Sequence, residues 1–127
     1  MKTIKKTYQI NAPVEKVWEA LVMAKVINQW GGGPAKMDEK EGTEFSLWGG
    51  DIHGTNTEII SQKKLVQEWF GGNWDEASLV TFTLKNQGQK TKVTLLHEKI
   101  PDRDAQDIEK GWDEYYMGPL QEFVEGE

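Results

Sequence analysis

The stretch GWDEYYMGPLQEF, residues 111–123, decides the fold. Its apolar residues recur at helical spacing, yet it contains Gly111, Gly118 and Pro119, which helix interiors normally exclude. Upstream, Pro101 ends the preceding segment, and Asp102 or Asp104 offers a helix cap. Asp104-Ala105-Gln106-Asp107 resembles a capping box with Asp in place of Glu. Ile108, Trp112, Tyr115 or Tyr116, Leu120 and Phe123 then form an apolar stripe. A helix of about 20 residues spans ~30 Å, enough to cross a whole small sheet. Pro119 removes an N–H and crowds the Tyr115 carbonyl, so the helix is predicted to kink or widen there. Gly118, with no Cβ to clash with the proline ring, eases the helical conformation before it.

A helix with an apolar stripe needs a partner surface, and the middle of the chain supplies strands. Thr43–Trp48, Ile52–Ile60, Leu65–Phe70, Leu79–Lys85 and Lys92–Lys99 are short β-prone runs. Gly49-Gly50-Asp51, Ser61-Gln62-Lys63-Lys64, the stretch 71–77 and Asn86-Gln87-Gly88 separate them as turns. Such close spacing predicts an antiparallel meander. Val80, Phe82 and Leu84 alternate with Thr81, Thr83 and Lys85, and Val93, Leu95 and His97 oppose Lys92, Thr94 and Glu98. One sheet face is therefore covered, and the C-terminal helix must be its cover. Residues 3–10 read as a further strand. Pro13 opens a helix whose face is Val14, Val17, Trp18, Leu21 and Val22, with Glu15 in its first turn. A second short helix runs from Ala24 to Trp30 and ends at Gly31-Gly32-Gly33-Pro34. The pattern is strand, two short helices, a five- or six-stranded antiparallel meander and one long helix.

Composition bounds the function. A chain of 127 residues reads as one domain, 1–127, with room for a real core. The net charge of −6 disfavours nucleic acid or an anionic membrane as partner. There is no cysteine, and the two histidines lie in different strands, so no metal-ligand spacing is visible. No apolar run reaches spanning length and MKTIKKTYQI lacks a signal-peptide core, so a cytoplasmic location is expected. No nucleophile elbow, phosphate loop or dinucleotide fingerprint occurs, and Ser46, Ser61 and Ser78 show no activating histidine nearby in sequence. Hence neither catalysis nor a cofactor is expected. The unusual number is six Trp in so short a chain.

Four pieces carry a family resemblance: NAPVEKVWEAL (11–21), EGTEFSLWGGDIHGTNTEI (41–59), LVQEWFGGNW (65–74) and IPDRDAQDIEKGWDEYYMGPLQEF (100–123). In this order they resemble the SRPBCC/START superfamily, which includes the birch pollen allergen and polyketide cyclases. More narrowly, they resemble the C-terminal domain of the activator of the heat-shock-protein-ninety ATPase. The resemblance implies an α+β helix-grip fold, in which a curved antiparallel sheet of about six strands wraps around the long C-terminal helix. It also implies a cavity between sheet and helix, or a chaperone as partner, with a weaker hold than that of an activator carrying a separate N-terminal domain. A bent helix would follow the curved sheet and leave a gap beneath its first half, and Gly111 is expected to let the helix approach a neighbour closely. For these glycines, packing alone and the shaping of a cavity are both open. Trp112 and Tyr116 share a helical face and, with Phe45, Trp69, Phe82 and His97 from the sheet, form the candidate wall. Trp30 is placed at the mouth. Ordinary core is the commoner role for each of these aromatics. His97, pointing inward by parity, is either a neutral histidine bonded to a Tyr or a backbone carbonyl, or a ligand anchor or acid–base group. The expected role is non-catalytic binding of an apolar or aromatic small molecule. The alternatives are a module acting on the chaperone ATPase and a cyclase or hydrolase-like enzyme.

Overall fold

The computed structural model describes residues 1–72 and 74–126. Asn73, inside the predicted 71–77 turn, and Glu127 lie outside the described residues. The chain runs β1 (Lys2–Ile10), α1 (Val14–Val22), α2 (Ala24–Trp30), β2 (Glu44–Leu47), β3 (Ile52–Ile60), β4 (Lys64–Gly71), β5 (Ser78–Gln87) and β6 (Lys90–Ile100). The C-terminal helix follows, as α3 (Ala105–Gly111), a π-helical segment (Trp112–Met117) and α4 (Gly118–Glu125). The described residues form a six-stranded sheet in the order β1-β6-β5-β4-β3-β2, and all its pairs are antiparallel. Strand β1 closes the far edge by pairing with the last strand, Lys2 opposite Ile100 and Ile10 opposite Thr91. A register shift between Asn56 and Glu58 breaks the β3–β4 ladder. Such an irregularity bends a strand and helps curl the sheet.

The alternation predicted for the last two strands is present. Val80, Phe82, Leu84, Val93, Leu95 and His97 are all buried, while Thr83 and Lys85 face solvent. The C-terminal helix covers this face with Trp112, Tyr116, Met117, Leu120 and Val124, all buried. Of the two tyrosines left open for the stripe, Tyr116 faces the core and Tyr115 is 64 % exposed. Helices α1 and α2 pack against the end of the same core through Val17, Trp18, Leu21 and Ile27. Pro13 precedes α1 as its cap instead of occupying its first turn; its carbonyl accepts from the Lys16 and Val17 N–H groups.

Of the two outcomes predicted at Pro119, kinking or widening, the structure takes the second, and two other details of the C-terminal helix differ from the sequence reading. The helix answers Pro119 by widening: Gly118 N–H donates to the Asp113 carbonyl, five residues back. A Cβ at position 118 would collide with that same oxygen, so the glycine is demanded by the wide turn itself. The predicted capping box is not formed. Asp102 instead pairs with the N-terminal ammonium at 2.8 Å, and Asp104 accepts from the Trp74 indole at 2.8 Å. Finally, Gly111 makes no close approach. An added Cβ would meet only Tyr115 Cδ2, at an ordinary 3.8 Å.

Candidate functional site

A pocket of about 350 Å³ lies beneath the first half of the C-terminal helix. The sheet side supplies Trp48, Asp51, Ile52 and Trp69. The helix side supplies Asp107, Ile108, Gly111, Trp112, Tyr115 and Tyr116. The helix is anchored on its other flank, where Lys6 Nζ and Tyr8 Oη, both from β1, donate to the two Asp113 oxygens at 2.7 and 2.8 Å. The Lys6 hydrogen bond holds the Asp113 carboxyl below the usual carboxylate range. Burial first, and the Asp113 contact second, push the Tyr8 hydroxyl far above the tyrosine range. The helix is thus pinned to β1 on one side and stands off β3 on the other.

Aromatic rings build the inner wall. Trp69 and Trp112 stack at 4.8 Å between ring centres and 25° between planes. Trp112 and Tyr116 lie 4.8 Å apart, and Tyr116 in turn packs on Trp30 at 4.9 Å. Of the predicted wall residues, Trp69, Trp112 and Tyr116 border the pocket. Phe45, Phe82 and His97 are buried behind them, outside its lining. Trp30 is also buried rather than at the mouth; its indole donates to the Ala20 carbonyl at 2.8 Å. Trp48 takes the mouth position instead, donating to the Gly31 carbonyl at 2.9 Å.

A directed chain of hydrogen bonds fixes the rings from behind. Trp112 Nε1 donates to His97 Nδ1 at 3.0 Å, which leaves the histidine proton on Nε2. That proton faces Ser78 Oγ at 2.8 Å, and Ser78 donates onward to the Trp69 carbonyl at 3.1 Å. Burial lowers the His97 pKa to about 4, so the ring is neutral. The partners are therefore an indole and a serine, where a Tyr or a carbonyl was expected. A second chain runs from Trp69 Nε1 to Gln67 Oε1 at 2.8 Å and from Gln67 Nε2 to Asn56 Oδ1 at 2.8 Å. Asn56 then donates to the Asp38 carbonyl and to Thr43 Oγ1. Ser78 and His97 stand at nucleophile–base distance, but every proton between them is committed to a buried neighbour. No carboxylate orients the imidazole, because Trp112 occupies that position. Among the described residues, no cluster of His, Cys, Asp or Glu could hold a metal, and no helix is long and apolar enough to cross a membrane.

The one buried side-chain polar atom without a hydrogen-bond partner among the described residues is the Tyr116 hydroxyl. Burial raises its pKa well beyond the tyrosine range.

The fold has known counterparts. Residues 11–125 match the profile of the family described as Activator of Hsp90 ATPase homolog 1-like protein. The chain belongs to this family. Among solved structures, an HSP90 activator from Plasmodium falciparum superposes with a TM-score of 0.88 at 27% identity, covering 99% of this chain and 97% of that one. The Hsp90 ATPase activator homolog of Dictyostelium discoideum is 28% identical over 114 residues, 87% of this chain and 30% of its own length. The human homolog 1 is 23% identical over 117 residues, 91% of this chain and 34% of that protein. The chain thus spans about a third of the curated relatives it matches.

Within this activator-like fold, several pocket residues escaped the sequence reading. Asp107 lies beside the apolar stripe in a helical projection, and Ile108 and Tyr115 read as stripe residues without being assigned to the wall. Trp48 and Asp51 sit in the Gly-rich β2–β3 turn, where Trp48 and Gly49 both adopt positive φ. No periodicity announces which way such a turn points.

Proposed function

We propose that this chain is a non-catalytic binding domain whose pocket, between the sheet and the C-terminal helix, takes a flat apolar or aromatic small molecule. The observation that carries the reading is the pocket of about 350 Å³ faced by Trp48, Trp69, Trp112 and Tyr116. Its volume lies within the range of small-molecule sites. Gly111 adds support: it forgoes helix stability on the pocket wall without a packing reason. The commitment of Ser78 and His97 to internal hydrogen bonds supports binding over catalysis. The test is a titration with planar aromatics followed by tryptophan emission and calorimetry, in the wild type and in Trp112→Phe. The expected result is saturable binding, weakened by the substitution. Binding by neither protein would sink the reading, and equal affinity in both would remove Trp112 from the site.

A second reading rests on the family and on the names of its relatives, which are activators of the Hsp90 ATPase. In that reading the domain contacts a chaperone and changes its ATP turnover. Because the match spans only a third of the curated activators, a weak effect is expected. The domain in large excess over its host's Hsp90 should alter ATP turnover or give a binding isotherm. Neither effect would set the chaperone reading aside.

A further inference from the structure

Resting on the pocket reading above, we infer that the occupant is an organic cation: a compact aromatic or alkyl body carrying a protonated or quaternary amine. The pocket offers ring faces and negative charge, and little else. Its three indole N–H groups are already spent, Trp48 on Gly31, Trp69 on Gln67 and Trp112 on His97. They leave their π faces as what the wall presents, and such faces attract a cation through the ring quadrupole. The charged groups in the lining are Asp51 and Asp107, and the lining contains no Lys, Arg or His. Neither carboxylate has a hydrogen bond or ion pair to its side chain among the described residues, unlike Asp102, Asp104 and Asp113 elsewhere in the C-terminal segment. The surrounding field has the same sign. Residues 101–127 carry nine Asp or Glu against Arg103 and Lys110. An anionic ligand would meet acidic repulsion with few donors to offset it. A neutral one would leave both carboxylates unused. A cation is drawn by the rings and the rim together.

The experiment uses two ligands of the same shape that differ in charge, 4-hydroxyphenyltrimethylammonium and 4-tert-butylphenol, titrated into the whole chain by calorimetry at low salt. The cation is expected to bind tighter by on the order of tenfold, as a partly desolvated cation–π contact aided by exposed carboxylates allows. The double substitution Asp51→Asn and Asp107→Asn, at exposed positions that leave the fold intact, should remove most of that preference. Equal or tighter binding of the neutral phenol would overturn the cation proposal while leaving the pocket reading standing. Binding of neither ligand would overturn both. A preference untouched by the double substitution would overturn the role given to the two carboxylates.

Discussion

A second proton on His97 would have to enter at Nδ1, where Trp112 already directs its N–H. The folded state therefore resists protonation down to about pH 4, whereas an unfolded histidine takes its proton near pH 6.5. Below 6.5 the unfolded chain binds the extra proton first, so stability is complete above that pH and declines as the pH falls toward 4. From pH 7 to pH 5 this linkage should remove about 2 kcal/mol, read as a fall in urea midpoint. His97→Gln should lack that slope, and a flat wild-type profile would show that the imidazole is not held as described. Asp113 acts in the same direction at lower pH. Its depressed pKa adds stability that is present above the unfolded carboxyl value and lost as the pH falls through the folded one. Trp112→Phe should cost ~1–3 kcal/mol, because it leaves a buried acceptor without its donor. It should also raise the pH at which His97 titrates, a readout that lost volume alone would not move.

The C-terminal helix contains two glycines with opposite physics. Gly111→Ala meets no obstacle and should stabilise the fold by about 0.5–1 kcal/mol, the usual gain over glycine in a helix. It should weaken planar-aromatic binding at the same time, since the new methyl stands on the pocket wall. Gly118→Ala drives a methyl into the Asp113 carbonyl and should destabilise by ~1–3 kcal/mol. Denaturant midpoints of the two variants check the signs, and a gain for Gly118→Ala would mean that the wide turn is not needed. The existence of this helix was legible in the 3.6-residue stripe and the widening in Gly118-Pro119. The order of β2 to β6 followed from turn spacing and the inward face from strict alternation, while the place of β1 beside β6 came only with the structure. What stayed illegible depended on register or on competition between partners. Sequence parity put His97 inside, but only the β5–β6 register and the helix position bring Ser78 and Trp112 to its two nitrogens. Asp104 had every mark of a cap, yet the Trp74 indole from a neighbouring loop claims its carboxylate. The seven residues named for the wall are all buried, but telling which of them border the pocket required the pocket's own outline.

For the molecule as a whole, the curved sheet has one apolar face and the C-terminal helix closes most of it, through Trp112, Tyr116, Met117, Leu120 and Val124. Removing residues 104–127 should abolish cooperative unfolding and the near-ultraviolet dichroism of the packed indoles. A truncated chain that still melts sharply would place the core elsewhere. The pairing of β1 with β6 reaches further, into the life of the chain before it is folded. Of the six described strands β1 is the first to leave the ribosome, and β6 is the last. At ordinary translation rates it waits roughly 5–20 s with its backbone groups unpaired. A strand in that condition invites pairing with other nascent chains, and charge is the usual protection. Lys2 and Lys5, exposed in the finished protein, supply it in β1. Replacing both with Thr should leave the melting of purified protein nearly unchanged yet shift freshly synthesised chains into the insoluble fraction. Unchanged solubility would mean that the waiting strand is sheltered by some other means.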